Sequence, residues 1–465
     1  MKLYQELSGE ITAMIASGVL QPGERLASVR QQRERRGISA STVFQAYEQL
    51  EARGLIVARP RAGYFVAAAA PEPRPSRPAP VSTPVDVSEL VFDVLGAAAE
   101  RDIVPFGSAF PSPLLFPLPR LATSMARSMR ALDPWRTVAD LGAGNAELRR
   151  LLAQRYQQDG AAVGADDIVI TNGAMEALNL CLQAVTRPGD SVIVESPCFY
   201  AGLQALERLG LNAIEVATDP RDGIDLAALA TVLEAGTARA CWLMTSFQNP
   251  LGSLMGPDKK RALVALLARH QLPLIEDDVY GELYFGARRP ALAKAFDQDG
   301  LVMHCSSFSK CLAPGFRIGW AAPGRHVRTV GRLKLSCSLS APMPSQLALA
   351  DYLAHGGYER HLRQLRSALA RQLEQMLAAI ERHFPAGTRV TRPQGGYFLW
   401  LELGEGVDAL ALHRAALAQG ISIAPGPIFS AQRAFGNCVR LNFGHAWDAR
   451  MEAAMQTLGR LATPA

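Results

Sequence analysis

Along residues 1–66 the apolar positions recur at helical spacing. Leu3, Leu7, Ile11 and Met14/Ile15 stand three and four apart, which predicts one helix stopped by Gly18 and then Pro22-Gly23. Ser28 is placed to cap a second helix, SVRQQRERR, ending at Gly37. Ser39 caps a third, ASTVFQAYEQLEAR, whose Val43, Tyr47 and Leu50 form one stripe and which ends at Gly54. LIVA and YFV then read as short strands around the turn Arg59-Pro60-Arg61-Ala62-Gly63, a hairpin that closes the unit as a wing. From residue 87 onward apolar runs alternate with helical patterns: DIVIT (167–171) before GAMEALNLCLQAV, SVIVE (191–195) before AGLQALERL, and ACWLMT (240–245) before a helix over 257–270. PLIED (273–277) and LVMHCSS (301–307) continue the series. Such alternation specifies an α/β body, a mainly parallel sheet with helices on both faces. Leu362, Leu365, Leu369, Leu373, Met376 and Ile380 make the core stripe of a long helix, with Arg360, Arg363 and Arg366 expected on its solvated face.

Residues 67–84, AAAAPEPRPSRPAPVSTP, carry six prolines and cannot bury a core. They are expected to be an extended tether that reaches up to roughly 55 Å at about 3.1 Å per residue. The expected organisation is therefore a head at 1–66, a Pro-rich linker at 67–86 and a body at 87–465. The seven cysteines form no C-x-x-C pair, which argues against a disulfide framework or a zinc module, so no metal site is expected. No run of 18 apolar residues and no leader-like N-terminus is present, so a cytoplasmic protein without membrane attachment is expected.

Charge refines this picture. The first 84 residues carry a net +4 of the chain's +5, so a polyanion, if there is one, meets the head. The third helix opens with Ser39, Ser41 and Thr42, small polar side chains that let its N-terminus approach phosphates. Gln45 one turn later can reach a base edge, and Arg30, Arg59 and Arg61 can grip the backbone of double-stranded DNA. A plain three-helix unit with solvated arginines would share the same pattern. Residues 18–66, however, closely resemble the GntR-type winged helix in the run G-x-L-x-x-G-x-x-L…S-x-R…S-x-x-T-V-x-x-A-Y-x-x-L, with Gly63 at its wing. Ala27 stands where that family usually has Pro. Ala40 often corresponds to a DNA-reading arginine.

In the body the informative residues follow the strand ends, where ligands sit in such folds. Thr171-Asn172-Gly173-Ala174-Met175 opens a helix and presents free N–H groups to an anion. Asn249-Pro250 follows ACWLMT, Asp277 ends PLIED with Tyr280 three residues on, and Ser307, Ser309 and Lys310 follow LVMHCSS, with Arg317 beyond. Each feature alone has an ordinary structural reading. Together they supply what pyridoxal phosphate (PLP) needs: an amine for an imine, a carboxylate for the ring nitrogen, donors for O3′ and a phosphate cup. Phe199 is placed to stack on the ring.

This pattern resembles the fold-type I aminotransferases from about residue 100 to 445, which implies that fold with a smaller C-terminal α+β subdomain. By that resemblance Lys310 corresponds to the catalytic, imine-forming lysine, Asp277 to the ring-nitrogen partner, and Tyr280 with Asn249 to the O3′ ligands. Gly173, Ala174, Met175, Ser307, Ser309 and Arg317 correspond to the phosphate site. Arg440 corresponds to the arginine that forks a substrate α-carboxylate. Ala139 stands where many relatives have a tyrosine. A GntR-type head, a Pro-rich linker and such a body together resemble the MocR subfamily of bacterial regulators, with a body like its YdcR-type members. The resemblance implies a homodimer that binds promoter DNA and senses PLP or an amino compound. A working aminotransferase with an appended head stays open as the second reading, and a cofactor-free dimerisation scaffold as a third.

Overall fold

The computed structural model describes residues 3–52, 55–59, 63–66, 71–96, 102–139, 141–355 and 357–463. By packing, the chain divides into two compact units, 1–71 with 371–389 and 447–465, and 72–370 with 390–446.

In the first unit the head forms helices α1 (Leu3–Ala16), α2 (Val29–Arg36) and α3 (Ala40–Ala52) and an antiparallel hairpin of Ile56–Arg59 and Gly63–Val66. The local chemistry is the expected one. Ser28 caps α2 in a reciprocal capping box with Gln31, and Gly37 ends it in the left-handed conformation. The amide of Thr42 donates to Ser39 Oγ at 3.1 Å, which starts α3. Leu7, Ile11, Leu26, Val43, Ala46, Tyr47, Leu50, Ile56 and Val66 make the head's core. The α1 stripe is shorter than its spacing suggests, because Leu3 and Met14 are exposed. Ala27, in place of proline, offers its carbonyl to the Tyr47 hydroxyl at 2.5 Å. The turn at 60–62, the end of α3 at Gly54 and the Arg59 side chain lie outside the described residues.

The second unit is built on a nine-stranded sheet. Its order is Ser82–Pro84, Asn212–Asp219, Ser191–Ser196, Ala238–Leu243, Leu274–Asp277, Val302–Ser307, Gly319–Ala322 and Val169–Thr171, with Gly223–Ile224 paired beside Asn212–Asp219. Its middle strands are parallel, while Gly319–Ala322 runs antiparallel to both its neighbours. Ile193, Ile214, Cys241, Leu243, Leu274 and Val302 on the sheet pack against Leu229, Leu263 and Leu267 of the covering helices. A smaller sheet joins Phe398–Glu402, Cys438–Asn442 and Ala424–Pro425 antiparallel. All seven cysteines are free thiols. Among the described residues no helix is long and apolar enough to cross a membrane, and no group of three or more His, Cys, Asp or Glu is placed to hold a metal.

Two expectations are corrected. The proline-rich segment is not a free tether from residue 72 onward. Glu72 pairs with Arg221, the Ser76 amide donates to the Thr218 carbonyl at 3.1 Å, and Ser82–Pro84 forms the antiparallel edge of the large sheet. An edge strand tolerates proline because one row of its N–H groups has no ladder partner to lose. Arg366 is likewise not on a solvated face. Its Nε donates to the Glu282 carbonyl at 2.7 Å and its guanidinium lies 3.7 Å from the Tyr284 ring centre. Arg360 and Arg363 are exposed as expected, and the leucine stripe beside them is buried.

Candidate functional site

The C-terminal ends of the parallel strands converge on one pocket with about 670 Å³ of empty space, part of it solvent. Ala174, Met175, Phe199, Asp277, Tyr280, Ser307, Ser309, Lys310 and Arg317, expected from four separate stretches of the sequence, all line it. At one end lies an anion cup. Gly173, at φ 81°, opens the helix Ala174–Val185, and a Cβ there would sit 2.4 Å from Nη2 of Arg317. Only glycine leaves this approach open. Arg317 donates to the Asn172 carbonyl at 3.1 Å and reaches Ser309 Oγ at 3.5 Å, while the Ser309 amide donates to Ser307 Oγ at 3.3 Å. Free helix amides and a guanidinium together suit a phosphate.

At the other end, Asp277 closes the strand Leu274–Asp277, and neither of its buried carboxylate oxygens has a hydrogen-bond partner among the described residues. Burial, and then the charge of neighbouring Asp278, push Asp277 up to about 7. Burial works against the charged form of Asp278 too, but Arg289 and His304 outweigh it and hold that carboxyl at about 2. Arg289 approaches Asp278 at 2.5 Å and His304 at 3.3 Å. A buried, unpartnered carboxylate backed by a permanent anion calls for a cation in the pocket, and a protonated pyridine nitrogen is one.

Lys310 stands between these ends. Burial, and then the positive charge of Arg440, draw its ammonium down to about 7, so near neutral pH about half of it is the free amine. Its Nζ donates to the Ala109 carbonyl at 2.9 Å and lies 3.7 Å from the Phe110 ring centre. Asn249 Nδ2 donates to the Tyr280 hydroxyl at 3.5 Å, and burial raises that phenol. Phe199 lies beside Tyr200, their ring centres 5.0 Å apart.

Arg440 is not a surface strand arginine, because it is wholly buried in the strand Cys438–Asn442. Its Nη2 donates to the carbonyls of Gly107 at 2.5 Å and Ser108 at 3.2 Å, and its Nη1 to Asn249 Oδ1 at 3.2 Å. Its Nε has no partner among the described residues. Asn442 Nδ2 donates to the carbonyls of Ser108 and Phe110, and the Tyr397 hydroxyl donates to that of Ala109. The segment Gly107–Phe110 therefore closes over Lys310 and Arg440. Sequence reading missed this segment, Tyr397 and Asn442, because the contacts bridge roughly 200 to 330 residues of chain; the one available signal was the Gly-Ser-Ala run between two apolar stretches.

In the head, Ser39, Ser41 and Gln45 are exposed and Thr42 half-buried along the outer start of α3. Arg30 is exposed and pairs with Glu34 at 2.9 Å. Gly63, at φ 100°, begins the wing's second strand, and the guanidinium of Arg25, a residue the sequence reading did not select, lies 3.5 Å from where a Cβ there would be. Arg61 and the side chains of Arg59 and Ala139 lie outside the described residues.

Comparison with known proteins matches this geometry. Residues 115–458 match the family Aminotransferase class I and II, and residues 3–66 match Bacterial regulatory proteins, gntR family. Over 463 residues, 99% of each chain, the protein is 50% identical to the Uncharacterized HTH-type transcriptional regulator YdcR of Escherichia coli K12. It is 39% identical over 466 residues to the regulator named YjiR of the same organism, covering 99% of this chain and 98% of that one. Among solved structures, Pyrococcus horikoshii kynurenine aminotransferase, in complex with PMP, KYN and KYA, superposes with a TM-score of 0.74 at 29% identity, over 81% of this chain and 94% of that one.

Proposed function

Because this chain belongs to the aminotransferase class I and II family and joins that fold to a gntR-type helix-turn-helix head, we propose that it is a transcriptional regulator that senses PLP, or an amino compound meeting it, through the body and binds promoter DNA through the head. The family's cofactor is pyridoxal phosphate, which when bound supplies an electrophilic carbon for amines and an electron sink. Everything else falls to this chain's own side chains.

In this reading Gly173, Ala174, Met175, Ser307, Ser309 and Arg317 hold the phosphate, and Lys310 offers a near-neutral amine as the covalent anchor. Asp277 keeps the proton on the ring nitrogen, Tyr280 and Asn249 orient the O3′ side, and Phe199 covers the ring face. Arg440 takes the carboxylate of an amino acid. Its Nη2 is engaged by the Gly107 and Ser108 carbonyls, so a carboxylate taken on that nitrogen competes with residues 107–110. The engagement of Arg440 by these carbonyls is the single observation that carries the sensing reading, because a ligand shifts an equilibrium only by interacting differently with its two states.

The head's DNA contacts are assigned to Arg30, Ser39, Ser41, Thr42, Gln45, Arg59, Arg61 and Gly63. We take residues 1–66 as the DNA-binding domain, 67–86 as the connection and 87–465 as the cofactor and dimerisation domain of a cytoplasmic homodimer. The second reading, a turning-over aminotransferase with an appended head, is favoured by the presence of Lys310, Asp277 and Arg440 in one site. The test is binding of promoter fragments by the full-length protein with and without pyridoxal phosphate and amino acids. Identical isotherms throughout overturn the sensing reading, and sustained transamination abolished by Lys310→Ala favours the second.

A further inference from the structure

The inward face of α3 is spent on the head's core, with Val43, Ala46, Tyr47 and Leu50 fully buried. Its outward face is a single exposed stripe, Ser41, Phe44, Gln45 and Glu48, at helical spacing of three and four. Phe44 is the large apolar side chain of that stripe, 47% exposed. One exposed phenylalanine is ordinary on a protein surface; the setting of this one is not. It stands one turn into α3, beside Gln45, behind the hydroxyls of Ser39, Ser41 and Thr42, and ahead of Glu48 and Glu51. The acidic residues make the C-terminal half repel phosphates, so the N-terminal half is the part that can enter a groove. Residues 40–52, ASTVFQAYEQLEA, contain no lysine or arginine, so α3 lacks the paired donors that suit guanine O6 and N7. What it offers is an apolar ring and an adjacent amide.

We propose that Phe44 and Gln45 read an A·T pair in the major groove, Phe44 packing on the C5-methyl of thymine and Gln45 pairing with adenine N6 and N7. This rests on the head being the DNA-binding part, as argued above. An amide makes the two-point contact with adenine, and an apolar side chain is the complement of the methyl that distinguishes thymine in that groove. Phe44 is then a specificity residue with no role in gripping phosphate.

The experiment enriches duplexes from a randomised library with the full-length, cofactor-loaded protein. The selected sites are then resynthesised with deoxyuridine in place of single thymines, which removes only the methyl. Wild-type protein should lose about fourfold in affinity at the contacted thymine, the worth of roughly one methylene taken out of water. Phe44→Ala should bind more weakly, no longer distinguish uracil from thymine, and keep the wild-type salt dependence because no phosphate contact is lost. Phe44→Leu should keep the distinction, and Gln45→Ala should relax the adenine preference at the paired position. The inference is overturned if deoxyuridine duplexes bind wild-type protein as tightly as thymine ones at every position. It is also overturned if Phe44→Ala still tells them apart, or weakens binding with no change in methyl sensitivity, as loss of a protein contact would. If no duplex is enriched at all, the DNA-binding reading beneath it fails first and takes this inference with it.

Discussion

Replacing Lys310 with methionine should stabilise the cofactor-free protein, and the gain should fade as pH rises. Burial and Arg440 draw the Lys310 ammonium from 10.5 down to about 7. At about 1.36 kcal/mol per pH unit that shift is worth at most ~5 kcal/mol against the charged form. Lys310 keeps some exposure, and methionine gives up the bond to the Ala109 carbonyl and the contact with the Phe110 ring. Those losses leave a net gain of roughly 2–3 kcal/mol. Below pH 7 the lysine is protonated in both the folded and the unfolded chain, so the penalty is complete. Between 7 and 10.5 the unfolded chain holds a proton that the folded one lacks, so wild-type stability climbs with pH and the advantage of the variant shrinks. The assay is urea unfolding of both cofactor-stripped proteins at about pH 6 and about pH 10, followed by tryptophan fluorescence. A variant less stable than wild type at the lower pH, or a difference that ignores pH, refutes the reasoning. Added pyridoxal phosphate should reverse the ranking, because only the wild type has an amine to hold it.

Asp277→Asn should weaken cofactor retention by about 10- to 150-fold, the worth of a hydrogen bond to a charged group at about 1.5–3 kcal/mol; equilibrium dialysis giving equal retention would count against the assigned role. Ser28→Ala removes the hydroxyl that accepts from the Gln31 amide, leaving the residue-28 amide to donate to Gln31 Oε1, and should cost the head about 1 kcal/mol, read as about fivefold faster amide exchange across Val29–Arg36. Ser76→Pro deletes the amide that donates to the Thr218 carbonyl and the hydroxyl that accepts from the Thr218 amide. Limited proteolysis within residues 72–84 should then quicken about 30-fold, the effect of losing two contacts worth roughly 1 kcal/mol each. Unchanged cleavage would show that the segment is held elsewhere.

Much of this was readable from the chain because the governing chemistry is local. Ser28, Gly37 and Ser39 mark the head's helix ends through caps that act within three or four residues. The pocket's residues all follow strand ends, so the alternation of strand and helix places Asp277, Ser307 and Lys310 on one side of the sheet. What escaped depends on partners far along the chain. Nothing near Arg440 announces that carbonyls more than 300 residues earlier engage its Nη2, and nothing near Arg366 announces Glu282. The proline-rich segment misled for a different reason: a composition that suits an extended free chain also suits an edge strand, and only the neighbour at 212–214 decides between them.

The closure of Gly107–Phe110 over Arg440 has a consequence for dose response. On the reading proposed above, an amino acid reaching Arg440 would compete with the tethered carbonyls of Gly107 and Ser108, whose local concentration never falls. Its apparent dissociation constant would then be the intrinsic one divided by the fraction of time those carbonyls are away. On that reading, substitutions at Gly107 or Ser108 would shift the ligand concentration at which Arg440 responds.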